Sequence, residues 1–413
     1  MNKTVLFILY PSYGHTYYIL PTIEACIRKG FHVACLTGGY LKHLFNWDDL
    51  DLYFYESINT EVIQHPAAEN NFIREILYAA AENMEHYRKS FHIVEAVRPD
   101  IIIYDSLCFF AKKITDELTI PHCTISPLMV YSKAIFEKTP QLFLQNLYRG
   151  KSIPHNDDPV FLRKKMTTLS KQITKYIKAH LSIGTYDIWD VISSYSENNF
   201  IFSSRILQRN QEVLDCRFQF VGCTTERKNC KMTPIHRLDK APIIYISLGT
   251  THINQKLSFY QKCIDALRNT SYFVVISLSE QIQTSELKNL SSNILLLPYV
   301  NQLSILSKAH LFITHGGANG FNEACYYGVP MLVFPQQGDQ FDVADRVVEL
   351  HIGTKANDEA VTCDDLKGLI HDLLSDSSVA QQISCLSSRL KEEHAKSKAS
   401  DVIVQFIQDM RNI

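Results

Sequence analysis

The residues with the strongest chemical signal lie between His315 and Glu323. A short apolar run precedes them, and the paired glycines Gly316 and Gly317 lead into a helical pattern. A strand that turns into a helix through glycines leaves backbone N–H groups at the helix N-terminus, where they bind anions such as phosphate. His315 and Asn319 add side-chain donors. Glu323 lies one helical turn after Asn319, which favours a contact with the vicinal hydroxyls of a sugar beyond the phosphates.

A second group of candidate residues lies in the first half of the chain. Gly14 and His15 follow the apolar run 4–9, and Asp105 ends the apolar run 99–105. The carboxyl ends of parallel strands meet at one edge of a sheet, so we expect Asp105 beside His15. A carboxylate that accepts the N–H of a histidine fixes its tautomer and stabilises the imidazolium that forms when the other nitrogen takes a proton. The pattern therefore predicts a general base for a hydroxyl nucleophile.

Parallel sheets are needed to hold both groups. The apolar runs 294–297, 311–314 and 331–334 alternate with short helical patterns, which is typical of a parallel β-α-β sheet. The first half opens on a strand and a turn, followed by a helix predicted at about 16–29 and a strand at 31–36. That turn contains no G-x-G-x-x-G, which disfavours a dinucleotide site there. The predicted fold class is α/β, with two Rossmann-like domains.

The domain boundaries follow from length and from breaker residues. The chain has 413 residues, which is enough for two domains of ordinary size. Residues 51–96 look irregular at first and then strongly helical, and a polar segment rich in Pro and Lys follows residue 222. The predicted division is an N-terminal domain at 1–222, a linker at 223–242, a C-terminal domain at 243–395, and a helix at 396–413 that packs back on the N-terminal domain.

Composition excludes several function classes. Hydrophobic residues make up 46% and charged residues 20%, the net charge is −2, and no basic block indicates nucleic-acid binding. The longest apolar runs are about six residues, far short of the roughly 20 that a spanning helix needs, and the N-terminus does not resemble a secretory signal. The eleven cysteines form no C-x-x-C pair, so we expect no metal site, reduced thiols and a cytoplasmic protein.

The stretch 295–340 resembles the nucleotide-sugar signature of the family 1 glycosyltransferases, the UDP-glycosyltransferases of the GT-B fold. It is most similar to their bacterial macrolide-glycosyltransferase-like branch. The resemblance implies two Rossmann-like domains that face each other across a cleft, with the acceptor on the first domain and the donor nucleotide on the second. By the same match, Gly14-His15 supplies the catalytic base and Asp105 its partner.

The resemblance also implies a donor site. Tyr299, Val300 and Gln302 stand where the family supports the base, and His315 to Asn319 stand where it binds the diphosphate. The nucleotide-sugar residues implied are Ser247, Gly249, Thr250, Tyr299, Val300, Gln302, His315, Gly316, Gly317, Asn319, Gly320, Glu323, Asp339 and Gln340. Many members carry Trp at the place of Tyr299 and Ser at the place of Gly320, so one stacking surface is smaller and one hydroxyl donor is absent.

The function implied is inverting transfer of a sugar, with glucose from UDP-glucose as the expected donor, to a hydroxyl of an apolar or aromatic small molecule. No cofactor and no metal are expected. The acceptor residues predicted are Tyr13, Phe72, Phe109, Met129 and Tyr131. Three alternatives stay open: a TDP-deoxysugar donor, a sugar-nucleotide epimerase, and a non-catalytic partner protein of the same fold. The acceptor itself and the choice between monomer and homodimer are also open.

Overall fold

A computed structural model describes residues 3–55, 71–140, 160, 163–164, 167–168, 170–172, 174–175, 178, 186–224, 241–249, 256–278, 282, 284–298 and 300–410, without the side chains of 71–78. Contacts between residues divide the chain into two units. The first comprises Met1–Thr224 together with Ser397–Ile413, and the second comprises Thr225–Lys396. Most of the predicted linker lies outside the described residues.

The first unit is built on a parallel sheet, with seven strands among the described residues and the order β3-β2-β1-β4-β5-β6-β7. These strands are β1 (Thr4–Ile8), β2 (His32–Gly38), β3 (Leu50–Tyr55), β4 (Ile101–Asp105), β5 (His122–Ser126), β6 (Asn199–Ile201) and β7 (Phe218–Phe220). The helices are α1 (Tyr13–Thr16), α2 (Leu20–Arg28), α3 (Asn71–Val97), α4 (Phe109–Leu118), α5 (Lys133–Lys138) and α6 (Ile188–Ile192). Apolar runs such as β1 and β4 are buried because helices cover both faces of a parallel sheet.

The alternation of side chains along β1 divides the core of this unit into two layers. Val5 and Phe7 belong to one apolar cluster, while Leu6 and Ile8 belong to another on the opposite face. Successive residues of a strand point to opposite faces of the sheet, so a fully apolar strand stabilises both layers at once. The strand is thereby held rigidly, and the residues that follow it are placed accurately.

The second unit is also built on a parallel sheet. This sheet has six strands in the described part of the chain, in the order β10-β9-β8-β11-β12-β13. The strands are β8 (Ile243–Ser247), β9 (Phe273–Ser277), β10 (Ile294–Leu297), β11 (Leu311–Thr314), β12 (Met331–Val333) and β13 (Gly353–Lys355). The helices are α7 (Leu257–Leu267), α8 (Gln302–Leu306), α9 (Ala318–Tyr327), α10 (Gln340–Glu349), α11 (Cys363–Ser375) and α12 (Ser377–Lys396). The predicted α/β class with two Rossmann-like parallel sheets is confirmed.

The last helix, α13 (Ala399–Asp409), belongs to the core of the first unit. Ile403 and Ile407 are fully buried in the same cluster as Val5, and the ring of Phe406 meets Phe200 edge-on with centroids 5.1 Å apart. The helix is amphipathic because apolar residues recur every three to four positions, and that stripe faces the sheet.

Two sequence-based expectations about local structure are wrong. The helix predicted at about 16–29 is interrupted, because α1 passes into a 3-10 turn at Tyr17–Ile19 before α2 begins. Proline occupies the start of α2, where its missing N–H costs nothing but where it cannot continue an earlier helix. The strand β3 was missed in the region read as irregular, because it is a half-exposed edge strand with a mixed apolar and polar pattern. Within the described residues, no helix is long and apolar enough to cross a membrane.

Candidate active site

The first site lies where the strand order of the first sheet changes direction. Strand β1 has β2 on one side and β4 on the other, so the connections leaving these strands diverge and open a crevice at their carboxyl ends. His15 follows β1 on the short helix α1, and Asp105 is the last residue of β4. The Ser12 hydroxyl caps α1 by accepting the backbone N–H of His15 at 3.2 Å.

The structure brings His15 and Asp105 into direct contact. Nδ1 of His15 lies 2.9 Å from Oδ2 and 3.0 Å from Oδ1 of Asp105. The Asp105 side chain is fully buried, whereas His15 keeps 12% of its surface exposed. An ionised carboxylate only accepts hydrogen bonds, so Nδ1 carries the proton and Nε2 keeps a lone pair. This arrangement orients the imidazole as a proton acceptor.

Two further donors hold the Asp105 carboxylate in place. The backbone N–H of Leu107 donates to Oδ1 at 2.9 Å, and the Tyr18 hydroxyl donates to Oδ2 at 3.2 Å. Burial and the Asp105 charge raise the pKa of Tyr18 well above its usual value, so its hydroxyl stays protonated and acts as a donor. Sequence reasoning missed Tyr18. Its spacing of three residues from His15 was the available signal, since such residues share a helical face.

The predicted acceptor residues occupy different environments. Tyr13 is 36% exposed, and its hydroxyl lies 2.8 Å from Nε2 of His43. Tyr131 lines a cavity of about 410 Å³ beside Trp189. Met129 is largely buried, and Phe109 has no exposed surface because its ring packs in the core. The structure therefore does not place Phe109 on a wall that a ligand reaches, and the side chain of Phe72 lies outside the described residues.

The second site occupies the equivalent position of the second sheet. Strand β8 lies between β9 and β11, so the crevice opens at the carboxyl ends of β8 and β11. Ser247 ends β8, and His315 follows β11. The turn through Gly316 and Gly317 leads directly into α9, whose N-cap is Gly317. No side chain caps that N-terminus within the described residues, which leaves backbone N–H groups of the first turn for an anion.

The imidazole of His315 is held between two glycines. A Cβ at Gly249 would lie 2.6 Å from Cε1 of His315, and a Cβ at Gly317 would lie 2.6 Å from Nε2. Any larger residue at either position would displace the ring. Gly249 also has φ +79°, a backbone conformation that favours glycine. Both glycines therefore leave room for the imidazole, and Gly249 also has a backbone conformation that favours glycine.

Burial controls the charge of His315. Removal from solvent lowers its pKa from 6.5 to about 4, and the nearby backbone of Ser247 opposes part of this effect. The residue keeps some exposed surface, but Nδ1 is enclosed and has no hydrogen-bond partner of normal geometry in the described part of the chain. His315 is therefore neutral at pH 7 in the absence of a bound anion.

The lowered pKa of His315 predicts a loss of stability in acid. Between pH 6.5 and about 4 the unfolded chain binds the proton and the folded chain does not, so stability is full above 6.5 and falls as the pH drops. Because the ring keeps some exposure to solvent, the effect is smaller than the full pKa shift would give. We expect the free energy of unfolding to fall by about 1–2 kcal/mol between pH 7 and pH 4.5. Denaturant unfolding of wild type and His315→Gln at both pH values measures it. If both proteins lost the same free energy of unfolding in acid, the lowered pKa of His315 would not be the cause.

Hydrogen bonds connect Glu323 of α9 to Tyr245 of β8 through the side chain of Gln302. Nε2 of Gln302 donates to Oε2 of Glu323 at 2.6 Å, and the Tyr245 hydroxyl donates to Oε1 of Gln302 at 3.2 Å. Glu323 and Gln302 were predicted from the motif, and the structure brings them together. Tyr245 was missed, because it lies within the apolar run of β8 and reads as a core residue.

Two of the predicted nucleotide-sugar residues, Asp339 and Gln340, lie at the start of α10. Asp339 is the N-cap residue, and Gln340 is 5% exposed. Oε1 of Gln340 accepts the backbone N–H groups of Gln336 and Gln337 at 2.9 and 3.1 Å. Those two bonds fix the orientation of the Gln340 amide, because its oxygen faces the two backbone N–H groups. Its NH2 group is then the donor that faces away from them. The pair thus offers one acceptor, the Asp339 carboxylate, and one donor.

Of the remaining donor-site residues, Val300 is buried, while Thr250 and Tyr299 lie outside the described residues. Asn319 lies in the first turn of α9. Among the described residues, no group of three or more His, Cys, Asp or Glu side chains is placed to hold a metal ion.

Gly320 offers a test of the donor site, because it lies in the first turn of α9, where many members of the resembled family carry a Ser hydroxyl. A Cβ there would lie 3.3 Å from Cε1 of Phe312 and 3.6 Å from Nε2 of Gln302. We expect Gly320→Ser to tighten UDP binding by about three- to tenfold, because the hydroxyl adds a donor, and titration calorimetry measures this. Gly320→Ala is the matched control, since it makes the same close contact with Phe312 and removes the same glycine without adding the hydroxyl. Equal gains in both variants would show that the hydroxyl plays no part.

Both units carry the Rossmann-like parallel sheet of the GT-B fold. Residues 223–407 match the family described as UDP-glucoronosyl and UDP-glucosyl transferase. This match confirms the resemblance to the family 1 UDP-glycosyltransferases of the GT-B fold that the motifs indicated.

Individual relatives and a solved structure are also similar to this chain. The chain is 26% identical over 409 residues to "Uncharacterized UDP-glucosyltransferase YojK" of Bacillus subtilis (strain 168), covering 98% of this chain and 97% of that protein. It is 24% identical over 308 residues to oleandomycin glycosyltransferase of Streptomyces antibioticus, covering 74% of this chain and 67% of that protein. The crystal structure of the glycotransferase of kitacinnamycin superposes with a TM-score of 0.78 at 23% identity, covering 99% of both chains.

Proposed function

We propose that this enzyme transfers glucose from UDP-glucose to a hydroxyl of an apolar or aromatic natural-product acceptor, with inversion at the anomeric carbon. The acceptor O–H proton goes to Nε2 of His15. The acceptor oxygen then forms a bond to the anomeric carbon while the bond from that carbon to the diphosphate breaks, and UDP leaves. No protein group bonds to the sugar, so one displacement inverts the configuration.

The observation that carries this proposal is the contact between His15 and Asp105. A fully buried carboxylate 2.9 Å from Nδ1 leaves Nε2 as the proton acceptor and stabilises the imidazolium once the proton arrives. General-base assistance of this kind is needed because an alcohol is a poor nucleophile at neutral pH. A partner protein without chemistry would have no need for a histidine hydrogen-bonded to a buried carboxylate at this position.

The donor side of the proposal rests on α9. The charge that develops on the leaving diphosphate is met by the N–H groups of the first turn and by His315, which are fixed before the reaction begins. We propose that these donors make a bound metal or organic cofactor unnecessary. Asp339 and the NH2 group of Gln340 supply one acceptor and one donor, which suits the full set of hydroxyls of glucose better than a deoxysugar.

We also propose an acceptor class and a cellular location. Oleandomycin glycosyltransferase and the kitacinnamycin glycotransferase are named for natural products, which favours an acceptor of that class. Exposed Tyr13, next to His15 on α1, supplies aromatic surface for it. We place the enzyme in the cytoplasm, because no disulfide joins any two of the ten cysteines that the structure describes.

The test is a turnover assay of the purified chain with UDP-glucose and TDP-glucose against a panel of phenols and alcohols, with and without chelator. We expect UDP release with glucoside formation, and proton NMR of the product should show the β-anomer formed from the α-linked donor. UDP-glucose consumed without any acceptor would indicate an epimerase or hydrolase instead. Preferential use of the TDP donor would contradict the donor assignment.

A further inference from the structure

Three side chains from three different elements form a hydrogen-bonded chain at the carboxyl edge of the second sheet. Tyr245 comes from β8, Gln302 begins α8, and Glu323 lies in α9. The Tyr245 hydroxyl is 3.2 Å from Oε1 of Gln302, and Nε2 of Gln302 is 2.6 Å from Oε2 of Glu323. The amide of Gln302 is thus held from both ends.

The orientation of that amide follows from the chemistry of its neighbours. An ionised Glu323 only accepts, so the NH2 end of Gln302 must face it. Burial raises the pKa of Tyr245, with the Ser247 and Ser277 hydroxyls partly opposing this, so the phenol stays protonated and donates to Oε1. Rotating the amide by half a turn would bring Oε1 against the carboxylate and the NH2 group against a donor.

Tyr245 has little freedom to move away. Its side chain is 1% exposed, and its ring stacks on Phe312 with centroids 4.9 Å apart and an interplanar angle of 8°. The stacked partner belongs to β11, the strand next to β8. Glu323 is 2% exposed and is therefore also confined. The phenol is consequently a fixed donor from the core to Oε1 of Gln302.

The family resemblance already gives Glu323 the ribose hydroxyls; we propose that Tyr245 is a positioning residue for this contact, because its hydroxyl locks the Gln302 amide so that Gln302 and Glu323 together bind the 2′-hydroxyl of the nucleotide. This inference rests on the proposed binding of a uridine nucleotide at α9. With phosphates on the N-terminus of α9, Glu323 lies five residues along the helix, about 7 Å further on. A ribose diol there offers O–H donors to the carboxylate, whereas a 2′-deoxyribose offers one fewer.

The consequence is a preference among nucleotides. A site built to hydrogen-bond a hydroxyl rejects the analogue that lacks it, because its own buried polar groups then lose a partner. The locked Gln302 and Glu323 pair should therefore favour ribonucleotides over 2′-deoxyribonucleotides. Without the Tyr245 hydroxyl the amide is no longer held in one orientation, and the preference should shrink even though the pocket keeps its shape.

The experiment is calorimetric titration of the full chain with UDP and with 2′-deoxy-UDP. We expect wild type to bind UDP about tenfold or more tightly than 2′-deoxy-UDP. In Tyr245→Phe, which keeps the ring and its stacking on Phe312, UDP binding should weaken about five- to tenfold, while 2′-deoxy-UDP binding should change less than about twofold. A purely structural defect would weaken both ligands equally, and that result would overturn the proposal.

A double-mutant cycle keeps the test independent of folding defects. Gln302→Leu should lose the same discrimination, and adding Tyr245→Phe to it should cost less than about twofold, because the hydroxyl acts through Gln302. Additive losses would overturn the inference. Unchanged discrimination in Tyr245→Phe would also overturn it, while leaving the proposed function intact. Failure of wild type to bind UDP at all would instead overturn the proposed function.

Discussion

Replacing His15 by alanine is expected to lower kcat/KM for an alcohol acceptor by about a thousandfold, because the acceptor proton then has no base. Asp105→Asn should lower it by about a hundredfold, since the amide keeps a hydrogen bond to Nδ1 but no longer stabilises the imidazolium. Initial rates of UDP release at saturating UDP-glucose measure both effects. Losses should be smaller for an acidic phenol, whose oxygen needs less help to give up its proton.

A second histidine and aspartate pair in the same unit supplies the control for this prediction. His32 begins β2 and meets Asp51 with 3.0 Å between Nε2 and Oδ2, at the amino end of the strand and therefore at the other edge of the sheet. Both side chains are about half exposed. We expect His32→Ala to keep kcat/KM within about twofold, since an exposed ion pair contributes little. If His15→Ala kept wild-type turnover of an ordinary alcohol, His15 would not be the base.

Replacing Gly249 by alanine is expected to weaken UDP binding about tenfold or more, which corresponds to about 1.4 kcal/mol. The new Cβ would meet His315 at 2.6 Å from Cε1 and 2.9 Å from Nε2, so the imidazole would have to leave its position. His315 is aligned with the N-terminus of α9, and a displaced ring no longer donates where the diphosphate binds. Calorimetric titration with UDP measures the change.

The matched control is Gly222→Ala. Gly222 has φ +78°, almost the same as the +79° of Gly249, but a Cβ there would meet nothing within 4 Å. Both variants thus place an alanine at nearly the same positive φ, and only Gly249→Ala adds a clash with His315. We expect Gly222→Ala to bind UDP within about twofold of wild type. Equal weakening in both variants would mean that displacement of His315 is not the cause.

Much of the donor site was predictable because it is local in sequence. Strand, glycine turn and helix follow one another from Leu311 to Tyr327, so the placement of His315 and Glu323 relative to α9 needs no distant contact. Gln302 and Glu323 are 21 residues apart in the sequence. The family resemblance predicted that both belong to the donor site. Their roles in binding stay predictions.

Tyr18 and Tyr245 show where sequence reasoning failed. Each lies in an apolar setting that reads as core, and each carries a hydroxyl whose partner comes from a distant part of the chain. Tyr18 reaches Asp105 across 87 residues, and Tyr245 reaches Gln302 across 57. A buried tyrosine hydroxyl usually finds a partner, but the sequence does not say which one.

By itself, the sequence determined the α/β class, the existence of two parallel sheets and the identities of the residues at the strand ends. These properties follow from apolar runs, helical periodicity and glycine turns, all of which act over a few residues. Only the tertiary structure decided that β4 lies beside β1 and β11 beside β8, which creates the two crevices. The physical reason is that strand order is set by packing of whole elements, and 90 residues separate His15 from the Asp105 that orients it.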